Sequence, residues 1–543
     1  MSDSRVVILG GGFAGISAAL ELMRLKKAKD NLEVHLISNE NYFVFQPLLP
    51  EVVSCSIEPG HILNPIRPLC PQVHFHWATV KEVDTARQHV ILTGRDERKV
   101  TTLKYDHLVW SLGLTINRHM VPGMAEHSLS LKTLGDAFHL RNHILSQLEE
   151  ADLETEESLQ RKALTFVVVG GGFSGVETAG AINDMVKSVL RFYPRARERG
   201  VQILLVHSGD RILDELGQSL GKFAERKLQE QGVILLLRNR VVEATANGIV
   251  LPDGRAICAG TVVCTAGSVG HPLVARTGLS QQDGRILVDE FLRVKGLNTL
   301  WAIGDSALIP DGTGAFCPPT AQFATREGKL CAANILHAIR QRPLRPFTFR
   351  GLGQLAAIGR HSGVARILGW NTSGVLAWFL WRCVYLIKIP GLRCKIRIGI
   401  DWLLEAVFPP DITMMDFHRT EQLKRAHYRP GDVIIKQGEV GQHFFIIESG
   451  EVEILREEPD NRTSRLGTRS AGSSFGEIAL LKSVARTATV RCLTPVDVVM
   501  FSRQDFLSLI HSHTQIRAMV EKETGSIILP SPGNPDPPGK PLP

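Results

Sequence analysis

Two hexapeptides in this chain carry glycine at their first, third and sixth positions: Gly10-Gly11-Gly12-Phe13-Ala14-Gly15 and Gly170-Gly171-Gly172-Phe173-Ser174-Gly175. That spacing can hold a pyrophosphate. The first glycine permits a tight turn, the second lets phosphates approach the backbone, and the third lets helix and strand pack closely. The free N–H groups at the start of the following helix then meet the negative charge. Each copy has its required context. An apolar run precedes it, Val6 to Leu9 or Phe166 to Val169, and a helical pattern follows, with Ile16, Leu20 and Leu22-Met23 in the first copy. Two such units imply two dinucleotides, and two dinucleotides held face to face imply hydride transfer between them.

The residues that select a ribose are less regular. The second strand of the first unit, Val34 to Ile37, leads into Ser38-Asn39-Glu40 where an acid for the ribose 2′-OH belongs. Glu40 is either that acid or a surface carboxylate. In the second unit the strand Val201 to Val206 leads into His207, with Arg211 nearby. No carboxylate stands there to repel a 2′-phosphate, so NADH and NADPH both stay open.

A short strand, Leu300-Trp-Ala-Ile, then ends in Gly304-Asp305. With the two glycine motifs this resembles the FAD- and NAD(P)-dependent pyridine-nucleotide oxidoreductases over residues 1 to about 346. The resemblance implies an α/β fold with two Rossmann-like domains, the NAD fold inserted in the FAD fold. The expected boundaries are 1–130 with 285–346 for FAD and 131–284 for NAD(P)H. Disulfide reductases of this fold carry CxxxxC after the first unit, where this chain has only Cys55. Sulfide:quinone oxidoreductases need spaced cysteines beside the flavin, and nothing between Cys70 and Cys258 supplies the first.

The positive resemblance is to type II NADH:quinone oxidoreductases. Asn41-Tyr-Phe-Val-Phe-Gln46-Pro-Leu-Leu-Pro-Glu51, Pro65-Ile66-Arg67, Leu108-Val-Trp-Ser-Leu-Gly113, Gly175-Val-Glu177, Pro319-Thr-Ala321-Gln322-Phe-Ala324 and Ala356-Ala-Ile-Gly-Arg360 carry it. It implies that Gly10, Gly12, Phe13, Ala14, Gly15, Glu40, Gln46, Gly113, Gly304, Asp305, Ala321 and Gln322 bind FAD. Gly170, Gly172, Ser174, Gly175, Glu177, His207 and Gly267 would face the nicotinamide cofactor. Glu177 and Gln322 would line the junction of nicotinamide, flavin and quinone; the bland reading of Glu177 is a helix-start carboxylate held by the dipole. The family's second Gln, four residues after the first, is replaced by Arg326.

Residues 370–408 have a different character. Trp370, Trp378, Trp381 and Trp402 lie here, with Arg382, Lys388, Arg393, Lys395 and Arg397 among apolar residues and no acid between Arg366 and Ile400. Helices over Val375–Ile389 and Ile396–Phe408, broken at Pro390-Gly391, describe an interfacial hairpin with Trp at headgroup level and cations toward anionic lipid. The family docks monotopically through such a segment, which points to the cytoplasmic face of a membrane, with 347–415 as the membrane-association region. A soluble packing or dimer patch is the other reading, and a homodimer stays open.

After Pro409-Pro410 short alternating strands with Gly turns begin. Phe475-Gly476-Glu477-Ile478-Ala479-Leu480-Leu481, followed by Arg486-Thr487, resembles the phosphate cassette of cyclic-nucleotide-binding domains, an all-β jelly-roll-like fold expected over 416–525. The resemblance makes Glu477 the ribose 2′-OH acceptor and Arg486 the partner of the cyclic phosphate. Gly476, Ile478 and Ala479 shape the loop, and Thr487 can bond the phosphate or a guanine, so cAMP and cGMP are both open. The Pro-rich stretch 526–543 cannot pack a core and is expected to be disordered.

The composition agrees. The chain has 543 residues, enough for several domains, with 44% hydrophobic and 22% charged residues. A net charge of +7 over that length argues against a nucleic-acid partner. Nine cysteines without a CxxC, and no metal-ligand spacing, point to buried thiols in a reducing compartment and to no metal. The sequence thus describes a membrane-associated, FAD-dependent NAD(P)H:quinone oxidoreductase with a cyclic-nucleotide module. Its rivals are a soluble flavoprotein reductase for ferredoxin or another acceptor, and a nucleotide-sensing scaffold on a vestigial flavin fold.

Overall fold

Val6, Val7, Ile8 and Leu9 are all fully buried, as a strand covered on both faces by helices must be. They form the middle of a five-stranded parallel sheet in the order Leu300–Ala302, His107–Trp110, Ser4–Leu9, Leu32–Ser38 and His74–Trp77. Phe166, Val167 and Val168 do the same in a second parallel sheet, ordered Leu129–Ser130, Thr261–Cys264, Thr165–Val169, Gln202–Val206 and Val233–Leu236. The motif strand sits centrally in each sheet, so each glycine turn emerges at the carboxyl ends of the strands, where doubly wound sheets take ligands.

The computed structural model describes residues 4–28, 30–94, 99–414, 424–439, 443–457, 463–481 and 486–502. It divides into two compact units, with the boundary between Met415 and Asp416. In the first unit a three-stranded antiparallel sheet, Gly353–Ala357, Gly363–Ile367 and Trp370–Gly374, leads directly into helix Val375–Lys388 and, after Pro390-Gly391, helix Leu392–Val407. The second helix begins four residues earlier than the sequence suggests, because Gly391 (φ 80°) supplies the turn at once. No helix among the described residues is long and apolar enough to cross a membrane.

The second unit is a β-sandwich of two four-stranded sheets around Ile435, Phe445, Ile447, Val452, Phe475, Val490, Val496 and Val498. The tail 526–543 and the last part of the expected cyclic-nucleotide domain, 503–525, lie outside the described residues.

Candidate active site

In the first unit's opening turn Gly10 adopts φ +107°, and a Cβ on Gly15 would sit 2.0 Å from the Gly10 carbonyl oxygen. The second turn repeats this: Gly170 adopts φ +123°, and a Cβ on Gly175 would sit 1.8 Å from the Gly170 oxygen. Gly12 and Gly172, by contrast, face open space, and helices Phe13–Leu25 and Phe173–Val189 have no side-chain cap. Both helix starts therefore keep donors free for an anion. Phe13 packs edge-on against Phe43 and Phe45, which steadies the first turn.

The strand ends differ. Ser38 Oγ sits beneath Gly11 and accepts from the Glu40 N–H (3.2 Å); Glu40 is exposed beside the Tyr42 phenol. His207 packs under Gly171 and accepts its N–H through Nδ1 (3.1 Å). Its ring is thus part of the turn. Arg211 pairs with Asp214 (3.1 Å), so its charge is already engaged.

Gly304-Asp305 is brought to the first turn, with a Cβ on Gly304 falling 2.9 Å from the Ala14 methyl. Burial raises the Asp305 carboxyl above its usual range against the pull of Lys132 and Arg285. Glu327, which the sequence reading missed, accepts the Gly304 N–H (2.7 Å), and burial pushes it up to about 7. An acid at 327 inside the apolar stripe Phe323, Ala324, Cys331 was the available signal. Nearby, Thr320 Oγ1 is buried without a partner at the start of helix Ala321–Ile339. An uncapped helix start, an open glycine face and an orphaned hydroxyl fit a bound dinucleotide. Gln46 lies at the surface with its amide 3.4 Å from the Lys132 carbonyl, while Gly113 (φ +73°) and Gly267 (φ +84°) form turns.

Gln322 follows Ala321 on that helix. Its amide donates to Gly353 O (3.0 Å) and accepts from Leu352 N–H (3.1 Å), tying the helix to the strand sheet. Arg326 lies over the Phe349 ring at 4.0 Å and donates to Gln322 O. In place of a second amide, the chain puts a cation stacked on an aromatic face.

Glu177 stands at the other side. Its Oε1 accepts from Ala357 N–H (3.2 Å) and from Trp381 Nε1–H (3.3 Å), so it links the nucleotide helix to the hairpin. Burial outweighs both donors and pushes it up to about 8. Ser174 is exposed one turn before Thr178, whose hydroxyl donates to its carbonyl.

The hairpin turns Ala377, Trp381, Cys394 and Ile398 inward and leaves Val375, Leu376, Phe379, Ile387, Leu392, Leu403 and Val407 exposed. Trp370 is 82% exposed. The other three tryptophans depart from the headgroup placement expected for them. Trp381 is buried, and Trp378 and Trp402 flank the Arg382 guanidinium at 4.1 and 4.8 Å. Arg382 likewise faces inward, where it pairs with Glu405 (2.6 Å). A cation that finds a carboxylate and two ring faces gains more inside than at the surface.

In the second unit Gly476 (φ +94°) opens the short helix Glu477–Leu481, which carries Ile478 and the buried Ala479. Arg486 donates to Gly476 O (2.8 Å) and His443 O (2.7 Å), and Glu477 attracts it. The cassette residues are therefore gathered at one place, with the guanidinium resting on carbonyls; Thr487 is exposed beside it.

Known proteins match this arrangement. The family model described as pyridine nucleotide-disulphide oxidoreductase matches residues 4–328, the NDH2 C-terminal domain matches 352–410, and the cyclic nucleotide-binding domain matches 425–513. A probable NADH dehydrogenase of Dictyostelium discoideum is 30% identical over 423 residues, 76% of this chain and 92% of the relative. The chain belongs to the type II NADH dehydrogenases. Further relatives are a demethylphylloquinone reductase of Synechocystis, 31% identical across 74% of this chain and 97% of its own length, and the type II NADH:quinone oxidoreductase of Mycobacterium tuberculosis, 30% identical across 73% and 87%. The fold is shared with Plasmodium falciparum NDH2 solved with NADH, at TM-score 0.71 and 19% identity over 76% of this chain and all of that one. The C-terminal sandwich is an addition to this type II dehydrogenase body.

Proposed function

We propose that this type II NADH dehydrogenase oxidises NADH with a quinone through bound FAD, docks on the cytoplasmic face of a membrane by its hairpin, and carries a cyclic-nucleotide-responsive module. The observation that carries the reading is the bridge made by Glu177: one carboxylate joins the start of the nicotinamide-site helix to Trp381 of the hairpin. Gly10, Gly12, Gly15, Gly304, Asp305 and Thr320 would hold FAD, whose chemistry when bound is to take a hydride and release two electrons to a quinone. Gly170, Gly172 and Gly175 would hold the NADH pyrophosphate. Gln322 fixes the strand beside that junction, and Glu177 holds a proton near neutrality. The exposed apolar side chains of the hairpin, with Lys388 and Arg393 also exposed, suit an anionic lipid surface. NADH is preferred over NADPH because Arg211 is already paired.

The test is NADH oxidation by the detergent-purified, flavin-loaded protein with a short-chain quinone, titrated with cAMP and then cGMP. Turnover that changes with one nucleotide supports both parts, and Arg486→Ala should then weaken its binding by about tenfold or more, as for a charged hydrogen bond worth ~1.5–3 kcal/mol. Steady turnover with either nucleotide removes the regulatory part. Reducible flavin without quinone turnover removes the quinone assignment.

A further inference from the structure

Reducing a quinone to a quinol takes two electrons and two protons. The hydride leaving NADH brings two electrons and one proton, so one further proton must come from water for each quinol. A narrow crevice in the first unit is built for such a path. It is lined by Glu51, Glu177, Asp184 and Glu405 together with Arg382, and the exposed Arg360 stands at its rim. About 30 Å³ is open in it to the centres of water molecules, room for one or two.

The crevice carboxylates come from three separate helices: Leu49–Val53, Phe173–Val189 and Leu392–Val407. Glu51 accepts from Trp402 Nε1–H (2.8 Å) and lies 3.6 Å from Arg382; its side chain is 13% exposed. Glu405 pairs with the same guanidinium and accepts from Ser56 Oγ (2.9 Å), which lies 2.8 Å from Ser54 Oγ. Asp184, two turns after Glu177 on one helix, lies against the Gly359-Arg360 backbone.

We propose that Glu51, Asp184 and Glu405, which line one crevice with Arg382, relay this proton from solvent to the Glu177 end of the crevice. The relay rests on the quinone reading of the same site. Arg382 pairs with Glu51 and Glu405, while Glu177 and Asp184 have no ion-pair partner among the described residues. Burial accordingly pushes Glu51 and Asp184 up to about 7, in line with Glu177. The charged and titratable groups facing the cluster are Lys187 on the Asp184 helix, Arg360 on the strand turn, Arg382 and Tyr385 on the first hairpin helix, and Glu405 on the second. Asp401, one turn before Glu405, is paired outward with His61 (2.6 Å). These are positioning residues, acting on the quinone only through Glu177 and bound water.

The test uses the full, flavin-loaded chain with two acceptors: a short-chain quinone, which needs protons, and ferricyanide, which takes electrons alone. For Asp184→Asn and for Glu405→Gln, quinone reduction should fall on the order of tenfold at pH 8.5 and less at pH 6. Ferricyanide reduction and flavin content should persist, and Asp184→Glu should restore the profile. Two variants on different elements guard against one that misfolds. Equal loss with both acceptors, or a quinone pH profile superimposable on that of the unaltered protein, overturns the relay alone. Unaltered protein that reduces ferricyanide but no quinone overturns the quinone reading, and the relay with it.

Discussion

The two nucleotide units share a turn, a helix and a sheet, yet the same helix position does different things in each. Ser17 follows Gly15 by two residues, as Glu177 follows Gly175. Ser17 is pressed against helix Ala321–Ile339, which approaches so closely that a Cβ on Gly328 would lie 2.4 Å from Ala14 O. The second helix is covered instead by a strand turn and the hairpin: a Cβ on Gly180 would meet Gly359 N at 2.8 Å, and Glu177 reaches Ala357 and Trp381. A helix–helix seam this close tolerates only a small residue at that position. A seam against loop backbone and an indole N–H accommodates a carboxylic acid, and makes it an unusual one. The covering element decides what a repeated motif does.

The largest effect should separate the two units outright. Gly15→Ala would force its methyl into the Gly10 carbonyl, at a local cost of roughly 3 kcal/mol or more. The protein should purify colourless, as visible absorption would show. Gly175→Ala should stay yellow but resist bleaching in an anaerobic NADH titration. If both lose flavin, the units are not independent.

Next comes the acid itself. Glu177→Gln keeps an acceptor for Ala357 and Trp381 but cannot exchange a proton, so quinone turnover should fall about a hundredfold while NADH still reduces the flavin. Stopped-flow measurement of each half-reaction checks this.

A smaller effect concerns stability. The folded value near 8 lies above the ordinary 4.5. Between those limits the unfolded chain has released a proton that the folded chain keeps, so stability falls as pH rises from about 4.5 to 8. The Tm of Glu177→Gln should therefore gain on the unaltered protein across that range and level off above it. A constant Tm difference would show that Glu177 is ionised throughout.

The smallest effect is the control. Ser17→Ala, at the matching position, should change Tm by no more than a degree or so and leave turnover intact, within ~0.5 kcal/mol. A large loss there would mean that the first helix also hides a functional polar group.

Local chemistry made much of this legible beforehand. Positive φ at Gly10 and Gly170, and the carbonyl contacts at Gly15 and Gly175, are demands that only glycine meets, so the motifs could be read from spacing. The break at Pro390-Gly391 and the alternation of the C-terminal strands were legible for the same reason. Glu327 stands in the sequence as an acid on an apolar stripe, and only its bond to the Gly304 N–H gives that acid a role. The apolar neighbours of Arg382 in sequence point it outward, toward lipid; its actual partners, Glu405 and Glu51, are 23 and 331 residues away.

By itself, then, the sequence determined the turns, the helix starts and the order of modules, because each depends on contacts within a few residues. Only the tertiary structure decided that Glu51, Glu177, Asp184 and Glu405 share one crevice with Arg382, that Gln322 is bound to a strand backbone, and that His207 lies under its turn. Those arrangements depend on which elements come to lie together, and the electrostatics that shift a carboxyl toward neutrality exist only once water has been excluded between them.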